Sequence, residues 1–199
     1  MPRAASQAPP AKFSVNLVGT RPRDVISTDG FEAIDTTNLV VFDNLNYVFP
    51  ATGTGGAVNW QTGALCNATN QCFYGNYHFN IWMYTNADGS LAAINHPLKD
   101  PREDFGSVVL PGTLTFVVMQ RGDTVGPQSN FSAVSAVSGA ELWRQPNGVD
   151  GYVGFRFRNT ATNAINYGYA RFVAQGPLGL PATLVGYRYD ASGAPITIR

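Results

Sequence analysis

The chain has 199 residues, a formal net charge of zero and 44% hydrophobic residues. That length fits one large β domain or two small ones, with enough apolar side chains for a sizeable core. Zero net charge supplies no long-range pull toward DNA, RNA or anionic lipid, and no apolar run reaches the ~18 residues of a membrane-spanning helix.

Charged residues make up 13% of the chain, about half the usual share of roughly 25%. Asn, Thr, Ser and Gln supply the polarity instead, and 21 Gly and 13 Pro supply the turns. Such surfaces are common in exported β proteins. The opening MPRAASQAPPAK has no apolar core segment and does not read as a signal peptide. Residues 1–12 are expected to be a flexible arm. Its neighbourhood holds the one basic cluster, Arg3, Lys12, Arg21 and Arg23, with Asp24 beside it. That density fits a solvated arm better than a polyanion patch.

Phe13 to Val18 alternates apolar and polar residues and predicts a first strand. Leu39–Phe42 and Tyr47–Phe49 predict short strands around the turn Asp43-Asn44. Residues 50–72 carry Gly53, Gly55, Gly56 and Gly63 and read as a long loop. Cys66 and Cys72 sit at its end, close enough for a disulfide that would rigidify the loop and add about 2 kcal/mol. A disulfide implies an oxidising compartment, and so an exported chain whose leader has been removed rather than a cytosolic one. A zinc site would need further ligands, and the only histidines are His78 and His96. No metal and no cofactor is expected.

Tyr77 to Thr85 is the strongest strand of the first half. Tyr77, Phe79, Ile81 and Met83 face one way, and His78, Asn80, Trp82 and Tyr84 the other. Residues 95–106 read as a loop or one short helical turn, Leu114 to Gln120 as a strand, and residues 121–140 as a second long connection. After the turn-rich Gln145–Gly151 come Tyr152–Arg158, Ala164–Ala174 and Thr183–Tyr189, with Pro195–Ile198 closing the sheet. Val153, Phe155 and Phe157 oppose Tyr152, Arg156 and Arg158. Tyr167, Tyr169 and Arg171 oppose Gly168, Ala170 and Phe172. The expected fold is all-β: a two-sheet antiparallel β-sandwich, jelly-roll-like, of roughly nine or ten strands. No internal repeat and no interior linker stands out, so residues 13–199 are expected to form a single domain.

The run YVGFRF at 152–157, then Tyr167-Gly168-Tyr169, Gly186-Tyr187-Arg188-Tyr189-Asp190 and Pro195-Ile196 resembles the C-terminal β-meander of the ectodomains of bacterial exported proteins of the PEP-CTERM, exosortase-sorted kind. The resemblance covers about 45 residues and departs from the family in lacking an Asp-rich opening, a leader and a sorting tail. It implies an envelope- or matrix-associated protein and carries no catalytic residue over.

Catalytic constellations are weak. The three glutamates, Glu32, Glu103 and Glu141, lie outside aromatic strands where a sugar would stack. No G-x-S-x-G elbow accompanies His78 or His96. Arg121-Gly122-Asp123 reads as the turn ending a strand rather than as an adhesive tripeptide. Asp88, Asp100, Asp104 and Asp123 are loop residues without a calcium-loop spacing. The aromatic residues give the one candidate surface. His78, Asn80, Trp82 and Tyr84 on one strand, and Tyr167, Tyr169 and Arg171 on another, combine rings that stack on sugars with groups that bind hydroxyls. The competing reading is sheet packing.

The sequence therefore predicts a non-enzymatic exported bacterial protein, extracellular or at the cell surface, with a structural or adhesive, self-assembling role. One alternative is a carbohydrate-binding module using an aromatic face. The other is a jelly-roll coat or capsid subunit. Expected partners are further copies of the chain through its arm, or an extracellular polysaccharide. Neither nucleic acid nor a membrane span is expected.

Overall fold

Alternating apolar residues and turn-forming Gly, Asn and Asp build antiparallel sheet throughout. The computed structural model describes residues 37–51, 56–66, 77–85, 91–95, 104–136 and 142–199, with backbone alone for 82–85, 91–95 and 135–136. Among these there are strands and turns and no helix. The chain divides between Thr37 and Asn38, and Asn38–Arg199 form one unit. The arm expected at 1–12 and the strand expected at 13–18 lie outside the described residues.

The strands are β1 (Leu39–Phe42), β2 (Tyr47–Phe49), β3 (Gly56–Val58), β4 (Leu65–Cys66), β5 (Phe79–Thr85), β6 (Leu91–Asn95), β7 (Gly106–Val108), β8 (Thr124–Val125), β9 (Phe131–Ser132), β10 (Ser135–Ala136), β11 (Val149–Arg158), β12 (Ile165–Ala174), β13 (Ala182–Asp190) and β14 (Ile196–Thr197). The larger sheet runs β1-β13-β12-β11-β7-β9, with β2 also on β13. The smaller runs β10-β6-β5-β3-β4, and β14 pairs with β8. Every pairing is antiparallel. The expected C-terminal meander is present as β11-β12-β13.

The two sheets stack on each other through large aromatic side chains. Trp60, beside β3, lies flat on Phe155 of β11, ring centroids 4.4 Å apart and planes 10° off parallel. Phe79 of β5 meets Phe172 of β12 at 5.5 Å. Phe49, Leu184 and Tyr187 fill the space around them. Offset stacking and edge contacts add to the area that each ring removes from water. This is the sandwich core that the alternation predicts, with Val153, Phe155 and Phe157 inward and Tyr152, Arg156 and Arg158 outward on β11.

The larger sheet also carries apolar residues on its outer face. Val108, Met119, Val125, Tyr167, Tyr169, Ile196 and Ile198 form a second cluster there, beneath the β8·β14 ribbon. Gly154 makes room for it, because a side chain at that position would run into Val108, Met119 and Val125.

Several predicted boundaries are corrected. Segment 114–120 is not a strand: it makes only isolated bridges, Val109 with Phe116 and Met119 with Tyr152. A tight turn, in which Leu110 N–H donates to Thr115 O at 2.9 Å, folds the segment back on itself before it can pair at length. The expected loop 50–72 contains β3 and β4, and the expected connection 121–140 contains β8, β9 and β10. β3 is too short and small-sided to read as a strand, yet it is buried: the Tyr47 ring lies over Gly56, and Val58 joins the main core. The described residues thus carry fourteen strands where nine or ten were expected.

Two hairpin turns share one design. In Asn59-Trp60-Gln61-Thr62-Gly63-Ala64, joining β3 to β4, the Asn59 side-chain oxygen accepts from the N–H groups of Gln61 and Thr62, both at 3.0 Å. Asn59 O accepts from Gly63 N–H, and Ala64 O from Asn59 N–H, each at 2.9 Å. In Asn159-Thr160-Ala161-Thr162-Asn163-Ala164, joining β11 to β12, Asn159 Oδ1 accepts from Ala161 N–H at 3.0 Å. The Asn163 N–H to Asn159 O and Asn159 N–H to Ala164 O bonds recur there at 2.8 Å. Gly63 and Asn163 hold the same left-handed position, at φ 75° and 58°. The pattern N-x-x-T-[GN]-A is therefore an internal local repeat, contrary to expectation, with one copy in each sheet.

Candidate functional site

Strand β13 pairs with β12 in regular register up to Arg171 opposite Gly186, then resumes with Phe172 opposite Leu184. Val185 is the extra residue of a β-bulge, a device that re-aims side chains and bends a strand. On the other edge of β13 the chain leaves β1 at Phe42 and returns as β2 at Tyr47. The intervening Asp43–Asn46 loop is held by the bond from Leu45 N–H to Val185 O at 2.9 Å, with Asn44 and Asn46 in left-handed conformations. A side chain at Gly186 would strike Phe42 O, so glycine lets this loop approach the bulge.

The bulge and the loop form the floor and one wall of a polar cleft of about 270 Å³. Tyr152, Tyr169 and Arg171 border it from β11 and β12, Arg188 from β13, and Asp43 and Asn44 from the loop. Register explains the grouping: Tyr152 is opposite Arg171, and Tyr169 is opposite Arg188. The Tyr152 and Tyr169 rings meet edge to face at 5.6 Å. Arg121 and Arg199 complete the rim. Both are placed by the β8·β14 ribbon, through Gly122 N–H to Ile198 O and Ile198 N–H to Asp123 O, each 2.9 Å.

Two of the four guanidinium groups are already engaged. Arg171 grips Asp150 with two bonds, Nε to Oδ1 at 2.9 Å and Nη2 to Oδ2 at 2.6 Å. The hydrogen bond from Arg171 holds the Asp150 carboxyl below the usual carboxylate range and pushes the guanidinium above its own. Arg188 reaches Asp43 at 3.2 Å. Arg121 and Arg199 are exposed and make no ion pair or side-chain hydrogen bond among the described residues.

The residues expected from the sequence separate into three groups. Arg171 stands exposed at the cleft, and Tyr169 borders it from beneath, 5% exposed, with its ring held in the second cluster against Tyr152. Tyr167 does not: it is 8% exposed and packs on Phe131 at 5.9 Å in the second cluster. His78 and Asn80, at 3% and 1% exposure, are inside the fold rather than on a ligand face. His78 Nδ1 accepts from Trp60 N–H at 3.1 Å and its ring lies 5.0 Å from Phe157. Alternation along a strand shows one face from the other, but not whether a second layer covers it. The side chains of Trp82 and Tyr84 lie outside those described. Cys66 ends β4 and is not a free thiol, while its expected partner Cys72 lies outside the described residues.

Sequence reasoning missed Asp43, Arg121, Tyr152, Arg188 and Arg199 as site residues. Their only local signal is the strand alternation that puts Tyr152 and Arg188 outward. The rest come together through pairings between β1 and β13 and between β8 and β14, far apart in the chain. The turn expected at Arg121-Gly122-Asp123 is present: Asp123 Oδ2 accepts from Gln120 N–H at 2.8 Å, and Gly122 is left-handed at φ 92°. Of the expected loop aspartates, Asp104 pairs with Arg158. Among the described residues no group of three or more His, Cys, Asp or Glu could hold a metal ion. No described helix is long and apolar enough to cross a membrane. A second void, of about 50 Å³ between Phe79, Phe172 and Trp143, lies within the apolar core and is too small for an organic ligand.

Comparison with protein-family models, with curated proteins and with solved structures returned no match.

Proposed function

We propose that this is a non-enzymatic, exported bacterial surface or extracellular-matrix protein of adhesive role, and that it holds an extracellular polysaccharide in the cleft between β1, β12 and β13. The observation that supports this reading is the grouping of Tyr152, Tyr169 and Arg171 on one side of an open polar cleft. The part-exposed Tyr152 ring, braced edge-on by the buried Tyr169, can cover the C–H face of a sugar, and guanidinium and amide groups take its oxygens. The groups stand on paired strands of one sheet, so little order has to be gained on binding. A Cys66–Cys72 disulfide belongs to the same proposal, as does the likeness of residues 152–196 to sorted bacterial ectodomains. A glycan array probed with the full chain tests the reading. Retention on polysaccharides is expected, with loss of signal in Tyr152→Ala. An array without hits overturns it.

A further inference from the structure

The charge left over in the cleft says more about its occupant. Arg171 and Arg188 each face a carboxylate, whereas Arg121 and Arg199 face none among the described residues. A guanidinium is paired most tightly by a planar or tetrahedral oxyanion that accepts two parallel N–H bonds. Resting on the polysaccharide reading above, we propose that the cleft selects acidic saccharides, those carrying a carboxylate or sulfate, with Arg121 and Arg199 binding the anionic group beside Tyr152.

Asp43 borders the cleft on Arg188 and Asp150 adjoins it on Arg171, so those two guanidinium groups are already neutralised and the free positive charge, among the described residues of the cleft, is confined to Arg121 and Arg199. The chain has no net positive charge to draw in nucleic acid or an anionic bilayer. A pyranose ring of an acidic saccharide carries its anion at one edge and a saturated C–H face beside it, so the anion can meet Arg121 and Arg199 while that face lies on Tyr152.

The test is binding of the full chain to polygalacturonate, chondroitin sulfate, neutral β-glucan and single-stranded DNA, followed by titration calorimetry. Binding to an acidic polysaccharide is expected, weakened at least ~10-fold by raising salt from about 0.05 to 0.5 M. Arg121→Gln and Arg199→Gln are each expected to weaken it about 5- to 20-fold, as a lost charge-assisted contact does. Neither exposed side chain holds the fold, so circular dichroism should be unchanged. Arg158→Gln removes equal charge on Asp104, away from the cleft, and should leave affinity within about twofold. Retention of neutral glucan alone keeps the polysaccharide reading and overturns the acidic one. Binding to no polysaccharide overturns both. Preference for DNA, or equal losses in Arg158→Gln and Arg121→Gln, also overturns the assignment.

Discussion

Gln61 and Asn159 lock together the two turns of common design. Gln61 Nε2 donates to Asn159 Oδ1 at 3.3 Å, and Gln61 Oε1 accepts from both the N–H and the hydroxyl of Thr160 at 3.1 Å. One turn belongs to each sheet, so a single amide side chain clamps the end of the sandwich. Asn159 continues inward, with Nδ2 donating to the buried Asn166 Oδ1 at 3.1 Å.

Gln61→Ala is expected to cost about 1–2 kcal/mol, since its partners can turn to water. Asn159→Ala should cost more, about 2–4 kcal/mol, because it also strips a partner from a fully buried Asn166 and removes the cap of its own turn. Urea unfolding of both single variants and of the double variant measures this. A double-variant cost equal to the sum of the two would show that the bridge carries no coupling.

Gly168 lies directly opposite Phe155 across the β11–β12 pair. Its missing side chain is the space the Phe155 ring occupies, and Arg188 O approaches from the other side. Gly168→Ala pushes that ring off its stack with Trp60, so a loss of about 2–3 kcal/mol is expected. Phe155→Leu in the same background should recover part of it. Thermal unfolding of the two variants is the check, and an unchanged melting point in Gly168→Ala would contradict the packing described.

Three tyrosines resist ionisation through burial. Tyr47 is pushed from 10.0 up to about 12, and Tyr187 and Tyr189 are raised in the same direction. A raised folded value means that the folded chain keeps its protons longer than the unfolded one does. The stability this gives is complete below pH ~10 and is lost as pH climbs toward about 12. Alkaline unfolding in that window should coincide with a cooperative rise in tyrosinate absorbance. The Tyr47→Phe variant should shed less stability across it. A smooth, non-cooperative titration near 10 would contradict the burial.

Much of the second half was legible because its strands pair with sequence neighbours: Tyr152–Arg158, Ala164–Ala174 and Thr183–Tyr189 fall close to β11, β12 and β13. Alternation also separated Phe155 from Arg156 correctly. It failed at His78 and Asn80, where polar residues on the expected outer face are buried, His78 accepting from Trp60 N–H. It failed again at Gly56–Val58, a three-residue strand in which Tyr47 covers Gly56 and only Val58 adds a sizeable side chain to the core. Tyr169 and Arg171 could be read as site residues from one strand. Arg121 and Arg199 could not, because β8 and β14 pair across a long stretch of chain and only that pairing sets them on one rim. The paired turns at Asn59 and Asn159 were written in the sequence as N-x-x-T-[GN]-A, a signal carried by turn residues rather than by hydrophobic period.

Asp150 holds one of the cleft's guanidinium groups in check. Its carboxyl ionises below the ordinary value of 3.8, chiefly through the hydrogen bond from Arg171. The pair is therefore intact above that value and is lost as pH falls through the lower, folded-state value. Both side chains are about half exposed, so its loss should change stability by under ~1 kcal/mol. Its effect on binding is expected to be larger and of opposite sign. Asp150→Asn frees Arg171 beside Tyr152 and should tighten binding of an acidic polysaccharide about 3- to 10-fold. A sulfated ligand stays ionised in acid, so with it the wild-type chain should gain affinity as pH drops below the carboxylate range, while Asp150→Asn, which keeps only the Asp43–Arg188 pair at the cleft, gains less. A uronate ligand loses its own charge in that range, and its affinity should fall for both proteins. Calorimetry with each ligand across the acid range separates these outcomes. Weaker binding by Asp150→Asn at neutral pH would mean that Asp150 serves to aim Arg171 rather than to restrain it.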